Sequence, residues 1–199
     1  MPDQRFAIGI DLGTTNCSLA YADLRDAEGK IQLLPIKQWE NASQLIEDEK
    51  LPSFLWLLPK QEIKKNGGRA TPCDGAAMQT FVIGREARAK ALDDPERVIH
   101  SAKSWLSAGP MHTRAARCLP WASASVEEKM SPVEVQAALL RHLAAAWNKQ
   151  FPPYPFADQS IVITVPASFD ELAQRLTLDA ARLAAYPDTL ALLEEPQAA

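Results

Sequence analysis

Apolar runs near the start of the chain predict the first strands of a sheet. Residues 6–10 are continuously apolar, which is typical of a strand buried on both faces. Turn-forming residues follow at 11–16, and residues 17–21 are again mostly apolar, so the two runs predict a β-hairpin. A third strand is predicted at residues 30–36. Residues 37–51 are polar and acidic, and we expect a loop there.

The middle of the chain alternates short apolar runs with exposed segments. Two strands and a helix are predicted, at residues 54–58, 80–83 and 84–92. Residues 60–79 are rich in Lys and Gly, which indicates an exposed excursion. Asp94 and Pro95 are typical of a helix start, and the residues that would form its apolar face are Val98, Ala102, Trp105 and Leu106. Residues 107–130 are predicted to be irregular.

The last third of the chain predicts helices that alternate with buried strands. A capping box at residues 131–134 starts a helix that runs to about residue 150. Strands are predicted at residues 161–165 and 189–193. Between them, a second capping box at residues 168–171 starts a helix whose inward positions are Leu172, Leu176, Ala180 and Leu183. Strands joined by helices are parallel with right-handed crossovers, so the pattern predicts a mixed sheet flanked by helices.

Composition and charge exclude several classes of protein. With 21 Lys and Arg against 25 Asp and Glu, the net charge is −4, which disfavours a nucleic-acid partner. No apolar run reaches the roughly 18 residues of a membrane helix, and the polar N-terminus does not resemble a signal peptide. Cys17, Cys73 and Cys118 are far apart, with no zinc spacing. We therefore expect a cytoplasmic protein with reduced thiols and no membrane partner.

The segment from Asp11 to Asn16 carries the strongest local chemical signal. Gly13 lets backbone amides approach a phosphate closely, and Thr14, Thr15 and Asn16 add polar side chains that can donate hydrogen bonds. Asp11, at the predicted strand end, could hold Mg²⁺ through water. The residues alone are equally compatible with a plain hairpin turn. Neither the Walker pattern nor the dinucleotide fingerprint occurs in the chain.

Several blocks of the sequence resemble one known family. Residues 8–16 resemble the first phosphate motif of the actin-like ATPases, most closely that of the seventy-kilodalton heat-shock (DnaK-type) chaperones. Residues 162–169 are similar to that family's strand–Pro-Ala–helix segment, and residues 194–199 to its acidic strand end. Further matching blocks lie at residues 82–84, 102–106, 129–132 and 179–184. The blocks occur in the family's order and span nearly the whole chain.

The resemblance implies an α/β fold of the ribonuclease H-like (actin-like ATPase) kind, with a mixed sheet flanked by helices and an inserted α+β subdomain. Residues 1–49 and 130–199 would form the ribonuclease H-like part of the first lobe, and residues 50–129 the inserted subdomain. The family's second lobe and substrate-binding domain would follow Ala199. The abrupt chain end then indicates a truncated fragment, which we expect to be inactive as an ATPase by itself.

The resemblance also implies roles for particular residues. The four residues that would cradle the β- and γ-phosphates are Gly13, Thr14, Thr15 and Asn16. Asp11 would hold Mg²⁺ through water. Lys103 matches the family's catalytic lysine, Glu195 the carboxylate that positions the attacking water, and Pro166 the proline that relays nucleotide state between domains. From residue types alone, a solvated helix face is the favoured explanation of Lys103, and Pro166 and Glu195 could simply end strands.

The implied function is that of a chaperone nucleotide-binding domain. In a full-length protein it would bind ATP or ADP with Mg²⁺ and hydrolyse ATP to gate binding of a polypeptide client or co-chaperone. Two alternatives stay open: a non-catalytic, nucleotide-binding interaction module, and a kinase of the actin-like fold. The family's interdomain arginine aligns with Gln174, one position before Arg175, which puts interdomain signalling of the family's kind in question.

Overall fold

The computed structural model describes residues 4–73, 77–108, 111–121 and 123–198. The strands are β1 (Phe6–Leu12), β2 (Asn16–Asp23), β3 (Gln32–Leu33), β4 (Ile36–Trp39), β5 (Leu45–Asp48), β6 (Leu51–Pro52), β7 (Leu55–Leu57), β8 (Arg69–Ala70), β9 (Met78–Gln79), β10 (Phe81–Ile83), β11 (Val98–Ile99), β12 (Ser160–Val165) and β13 (Ala191–Glu194). The helices are α1 (Lys60–Asn66), α2 (Arg85–Asp93), α3 (Ala102–Trp105), α4 (Met111–Arg114), α5 (Pro132–Gln150), α6 (Glu171–Leu183) and α7 (Glu195–Ala198). Among the helices of these described ranges, none is long and apolar enough to cross a membrane.

A mixed sheet in the order β13-β12-β1-β2-β3 forms the centre of the molecule, and β6 also pairs with β2. β1 is antiparallel to β2, which confirms the predicted hairpin. β12 is parallel to β1, and β13 is parallel to β12, as expected of strands joined by helices. Phe6, Ile8 and Ile10 are buried on one face of β1, whereas Ala7 and Gly9 on the other face are only half-buried.

Helix α5 closes one face of this sheet and begins as predicted. The Ser131 hydroxyl accepts a hydrogen bond from the Glu134 amide, while the Glu134 carboxylate accepts one from the Ser131 amide. Near its C-terminal end, Trp147 is fully buried and packs edge-on against Phe6 of β1 at 5.2 Å between ring centroids. The capping box and the aromatic contact together fix the helix against the strand that leads to the candidate site.

The polar stretch at residues 37–51 is not a loop, contrary to prediction. It contributes most of β4 and all of β5, which pair antiparallel. The predicted strand at 30–36 is correspondingly reduced to β3 and the start of β4. Gln38 explains the difference, because its buried side chain donates to the Lys50 carbonyl and accepts from the Arg85 amide. A buried glutamine with both groups paired lets a polar sequence pack as a strand.

The helix predicted from Asp94 to Leu106 is also wrong. Pro95–Arg97 form one 3₁₀ turn, and Val98 and Ile99 form β11, which pairs with β7 in a three-stranded sheet. Ser101 then adopts a left-handed conformation with φ of 55°, and only the short α3 follows. Apolar positions that also fit a helical spacing are used here as a strand, because β7 offers a pairing partner.

Two smaller predictions are corrected elsewhere. Helix α6 is capped by Asp170, not by Ser168, and its residue Leu183 is exposed rather than inward. The excursion at residues 60–79 is exposed only in part: α1 buries no residue, as predicted, but Cys73 packs into the core, and the segment is ordered into α1 and the β8–β9 pair. Residues 74–76 of that excursion lie outside the described residues.

Candidate functional site

The candidate site lies where β1 and β12 end, next to the start of α7. Asp11 at the end of β1 is in register with Thr164 of β12, and Thr164 is in register with Leu193 of β13. The carboxyl ends of these parallel strands therefore meet at one edge of the sheet, where ligands of open α/β sheets usually bind. A depression of about 530 Å³ opens there, and the residues from the sequence analysis that line it are Asp11, Gly13, Thr14, Lys103, Pro166 and Glu195.

The loop between β1 and β2 separates this depression from a second one of about 350 Å³. Thr15 and Asn16 line only the second, while Gly13 and Thr14 line both. Gly13 is required by the tightness of the turn, because a Cβ atom there would lie 2.1 Å from the Asn16 carbonyl oxygen. The turn therefore exposes Thr14 and Thr15 while its backbone stays tightly folded.

Lys103 reaches the depression from a different part of the chain. Its side chain is only 6% exposed, so the alternative of a solvated helix face is wrong. The ammonium donates to Oε1 of Glu195 at 2.8 Å and lies 5.9 Å from the ring centroid of Phe169. The left-handed Ser101 and the short α3 that follows it carry this lysine to the site. A buried ammonium needs a charged partner, and Glu195 provides it.

Asp11 has an altered acidity. Partial withdrawal from water raises the pKa of its carboxyl above the ordinary value, the Lys103 ammonium opposes that rise, and the Glu195 carboxylate adds to it. Burial penalises the charged form of an acid, whereas a nearby cation favours it. The carboxylates of Asp11 and Glu195 and the Lys103 ammonium therefore influence one another across one depression.

Two further residues of the site were not predicted from the sequence. Thr164 and Ala198 also line the depression, and the Thr164 hydroxyl donates to the Ile10 carbonyl at 3.3 Å. A threonine within an apolar strand is ordinary, so its residue type gives no functional signal. Only the parallel register with β1, which sequence reasoning could not establish, brings Thr164 beside Asp11.

The side chains at this edge fit a magnesium–phosphate ligand. The described residues contain no group of three or more His, Cys, Asp or Glu side chains that could hold a metal by themselves. Mg²⁺ does not need one, because it usually keeps several waters and binds through one or two carboxylates together with phosphate oxygens. Asp11 is one such carboxylate, and Lys103 and the Thr14 hydroxyl are suited to phosphate oxygens.

Comparisons with known proteins point to one protein family. A family model described as Hsp70 protein matches residues 63–199. The chain is 33% identical, over 207 aligned residues, to the chaperone protein HscA homolog of Burkholderia multivorans, and 33% identical over the same length to those of Burkholderia lata and Polynucleobacter necessarius. Each alignment covers 98% of this chain and 28% of the relative, so the chain spans less than a third of those proteins. The chain belongs to the Hsp70 family.

Proposed function

We propose that this chain is the first lobe of a chaperone nucleotide-binding domain, and that the depression beside Gly13 binds the phosphates of ATP or ADP together with Mg²⁺. The observation that carries the proposal is the convergence of Lys103 and Asp11, from distant parts of the sequence, on one depression at the ends of parallel strands. Burying an ammonium group at such an edge costs free energy of folding. A polyphosphate is a ligand whose negative charge this ammonium group would bind.

The loop from Gly13 to Asn16 supplies the neutral part of the phosphate site. Its backbone amides and the hydroxyls of Thr14 and Thr15 would donate to phosphate oxygens, as amides in an anion-binding concavity do. Asp11 would hold Mg²⁺ through water. When bound, the metal neutralises charge that builds up between phosphates during transfer.

The charged part of the site suits transfer of the γ-phosphoryl group to water. The Lys103 ammonium would stabilise negative charge that develops on that group, which is the largest contribution a protein makes to this reaction. Glu195, whose side chain is 46% exposed, holds Lys103 with one carboxylate oxygen. Its other carboxylate oxygen is available to orient the attacking water.

In the complete protein we propose that hydrolysis gates the binding of a polypeptide client or co-chaperone. Residues 1–49 and 130–199 would form the ribonuclease H-like subdomain, and residues 50–129 the insertion. Pro166 lines the depression and lies four residues before Asp170, the cap of α6. A shift of Pro166 on nucleotide binding would therefore reach α6, which gives a route for relaying nucleotide state.

The test is to follow ATP with the complete gene product in the presence and absence of Mg²⁺. We expect Mg²⁺-dependent binding and release of inorganic phosphate, both of which the isolated 199-residue chain would show weakly or not at all. Transfer of phosphate to a small-molecule acceptor would favour a kinase instead. Tight binding without turnover would favour the non-catalytic module, and no binding at all would overturn the proposal.

A further inference from the structure

Ser53 holds the loop of the candidate site from its buried side. It follows β6, which pairs with β2 next to the loop. The Ser53 amide donates to the Thr15 carbonyl at 2.9 Å, and the Ser53 hydroxyl donates to the Gly13 carbonyl at 2.7 Å. Ser53 is only 3% exposed, so water cannot readily replace either contact. Two carbonyls of the loop are thus fixed by one residue.

This contact determines where the next amide points. A trans peptide unit is planar, and its N–H points opposite to its C=O. Because the Gly13 carbonyl is turned toward the buried Ser53, the Thr14 N–H is turned away from it, toward the side on which Thr14 is exposed. Within the described ranges the Thr14 amide donates to no protein acceptor, and Thr14 lines both depressions.

Glycine at position 13 makes an external restraint necessary. Gly populates more backbone conformations than any other residue, so the peptide unit after it has little orientation of its own. A second buried group completes the restraint, since the Cys17 sulfur lies 3.2 Å from the Ser53 hydroxyl oxygen. Either atom could be the donor in that contact, and the Cys17 sulfur also lies 4.0 Å from the Gly13 carbonyl oxygen. Burial raises the pKa of Cys17 to about 11, which keeps the thiol protonated.

We infer that Ser53 is a positioning residue for phosphate binding: its hydroxyl, through the Gly13 carbonyl, aims the Thr14 amide at a phosphate oxygen of the nucleotide. The inference rests on the proposed function, because the ligand is the phosphate chain proposed above. Ser53 does not touch the ligand and acts only through the peptide unit between Gly13 and Thr14.

The experiment compares two ligands on variants of the complete gene product. Calorimetry measures the dissociation constants of Mg²⁺–ADP, which has the phosphates, and of adenosine, which lacks them. Ser53→Ala should weaken Mg²⁺–ADP about 10-fold, the size expected for one misaimed hydrogen bond to a charged group, and leave adenosine unchanged. Ser53→Thr, which keeps a hydroxyl, should restore most of the affinity.

Thr177→Val is the matched control for stability. The Thr177 hydroxyl is also buried and donates to a carbonyl, that of Ala173 at 2.9 Å, within α6. It should lower stability about as much as Ser53→Ala without a ligand-selective effect. If Ser53→Ala does not fold, Cys17→Ala removes the sulfur that contacts the same hydroxyl and should give a smaller loss that is again confined to Mg²⁺–ADP.

Each outcome separates the two proposals. If the unaltered protein binds Mg²⁺–ADP no more tightly than adenosine, the proposed function fails. If it prefers Mg²⁺–ADP and the Ser53 or Cys17 variant keeps that preference in full, only the role of Ser53 is overturned. A loss shared equally by adenosine, or by Thr177→Val, would also overturn it, because the effect would then be one of general stability.

Discussion

The Lys103 ammonium and Oε1 of Glu195 lie 2.8 Å apart although 92 positions separate the two residues in the sequence. The lysine is buried, whereas nearly half of the glutamate side chain reaches solvent. The pair therefore joins α3 to the start of α7 and presents its open side to the depression. A lysine held in this way is oriented before any ligand arrives, which would reduce the reorganisation needed in the proposed hydrolysis.

Removing the Lys103 side chain should reduce the rate of ATP turnover far more than it reduces the affinity for ATP. For Lys103→Ala in the complete gene product we expect ATP turnover to fall about 10²- to 10³-fold, the loss typical of one preorganised electrostatic contact. Single-turnover phosphate release measures it. Lys60→Ala is the matched control, because Lys60 is exposed, pairs with the exposed Glu127 and does not line the depression. Unchanged turnover in Lys103→Ala would contradict the catalytic role.

The two glycines of the first hairpin should respond differently to alanine. A Cβ at Gly13 would lie 2.1 Å from a backbone oxygen, so the loop must open and Mg²⁺–ADP affinity should fall by about 10-fold or more, about 1.4 kcal/mol. A Cβ at Gly9 meets nothing within 4 Å. Since Ala is better than Gly within a strand by roughly 0.5–1 kcal/mol, Gly9→Ala should keep or raise stability. Calorimetry and urea unfolding check both, and equal effects would refute the loop geometry.

The cap of α6 gives a prediction about stability. Asp170 accepts from the Ala173 amide and from Arg114, so Asp170→Ala should lower the free energy of unfolding by about 1 kcal/mol or somewhat more. Ser168→Ala removes the residue that sequence spacing favoured as the cap, and it should stay within about 0.5 kcal/mol of the original chain. Urea unfolding of the 199-residue chain distinguishes the two. A larger loss in Ser168→Ala would restore the capping box predicted at residues 168–171.

His142 should make stability depend on pH. Its ring is buried and donates from Nε2 to the Lys37 carbonyl, and burial lowers its pKa below the ordinary 6.5. Below pH 6.5 the unfolded chain therefore takes up a proton that the folded chain does not. The free energy of unfolding should fall with decreasing pH in that window, by up to about 1.4 kcal/mol per pH unit, and should be fully retained above it.

His142→Gln isolates this contribution. The difference in unfolding free energy between the original chain and His142→Gln, measured by urea at pH 7.5 and pH 5.5, should shrink at the lower pH. His112→Gln is the control, since His112 is exposed. The lowered pKa values of Asp23 and Asp170 act only in stronger acid, because an acid loses its contribution as the pH falls through its own low pKa. A difference that is constant with pH would refute the assignment to His142.

The sequence predicted the elements whose signals are local. The capping box at Ser131 and the apolar run at residues 6–10 describe their own conformation, and both are confirmed. The failures involve distant partners. Val98 and Ile99 form a strand because β7 lies beside them, and Gln38 is buried because Lys50 and Arg85 satisfy its side chain. Neither partner can be identified from a short window of residues.

The residues of the candidate site also differ in whether a local sequence signal reveals them. The loop at Gly13 has a recognisable composition, whereas Lys103 was singled out only through family resemblance and would otherwise pass for a solvated side chain. The residue types of Thr164 and Ser53 give no functional signal. Thr164 reaches the site because β12 pairs with β1, and Ser53 reaches the loop because β6 pairs with β2. The phosphate-binding and catalytic roles, like the cytoplasmic location, stay predictions.

Because β2 runs away from the loop at residues 13–16, the turn that follows β2 lies at the far end of the sheet. Residues 24–31, between β2 and β3, are exposed, and a Cβ atom at Gly29 would meet no other atom within 4 Å. A fluorophore or an immobilisation tag attached at this turn would be separated from Gly13 by the whole length of β2. This turn is therefore an attachment point at which the proposed nucleotide binding could be measured on a surface without obstructing the depression.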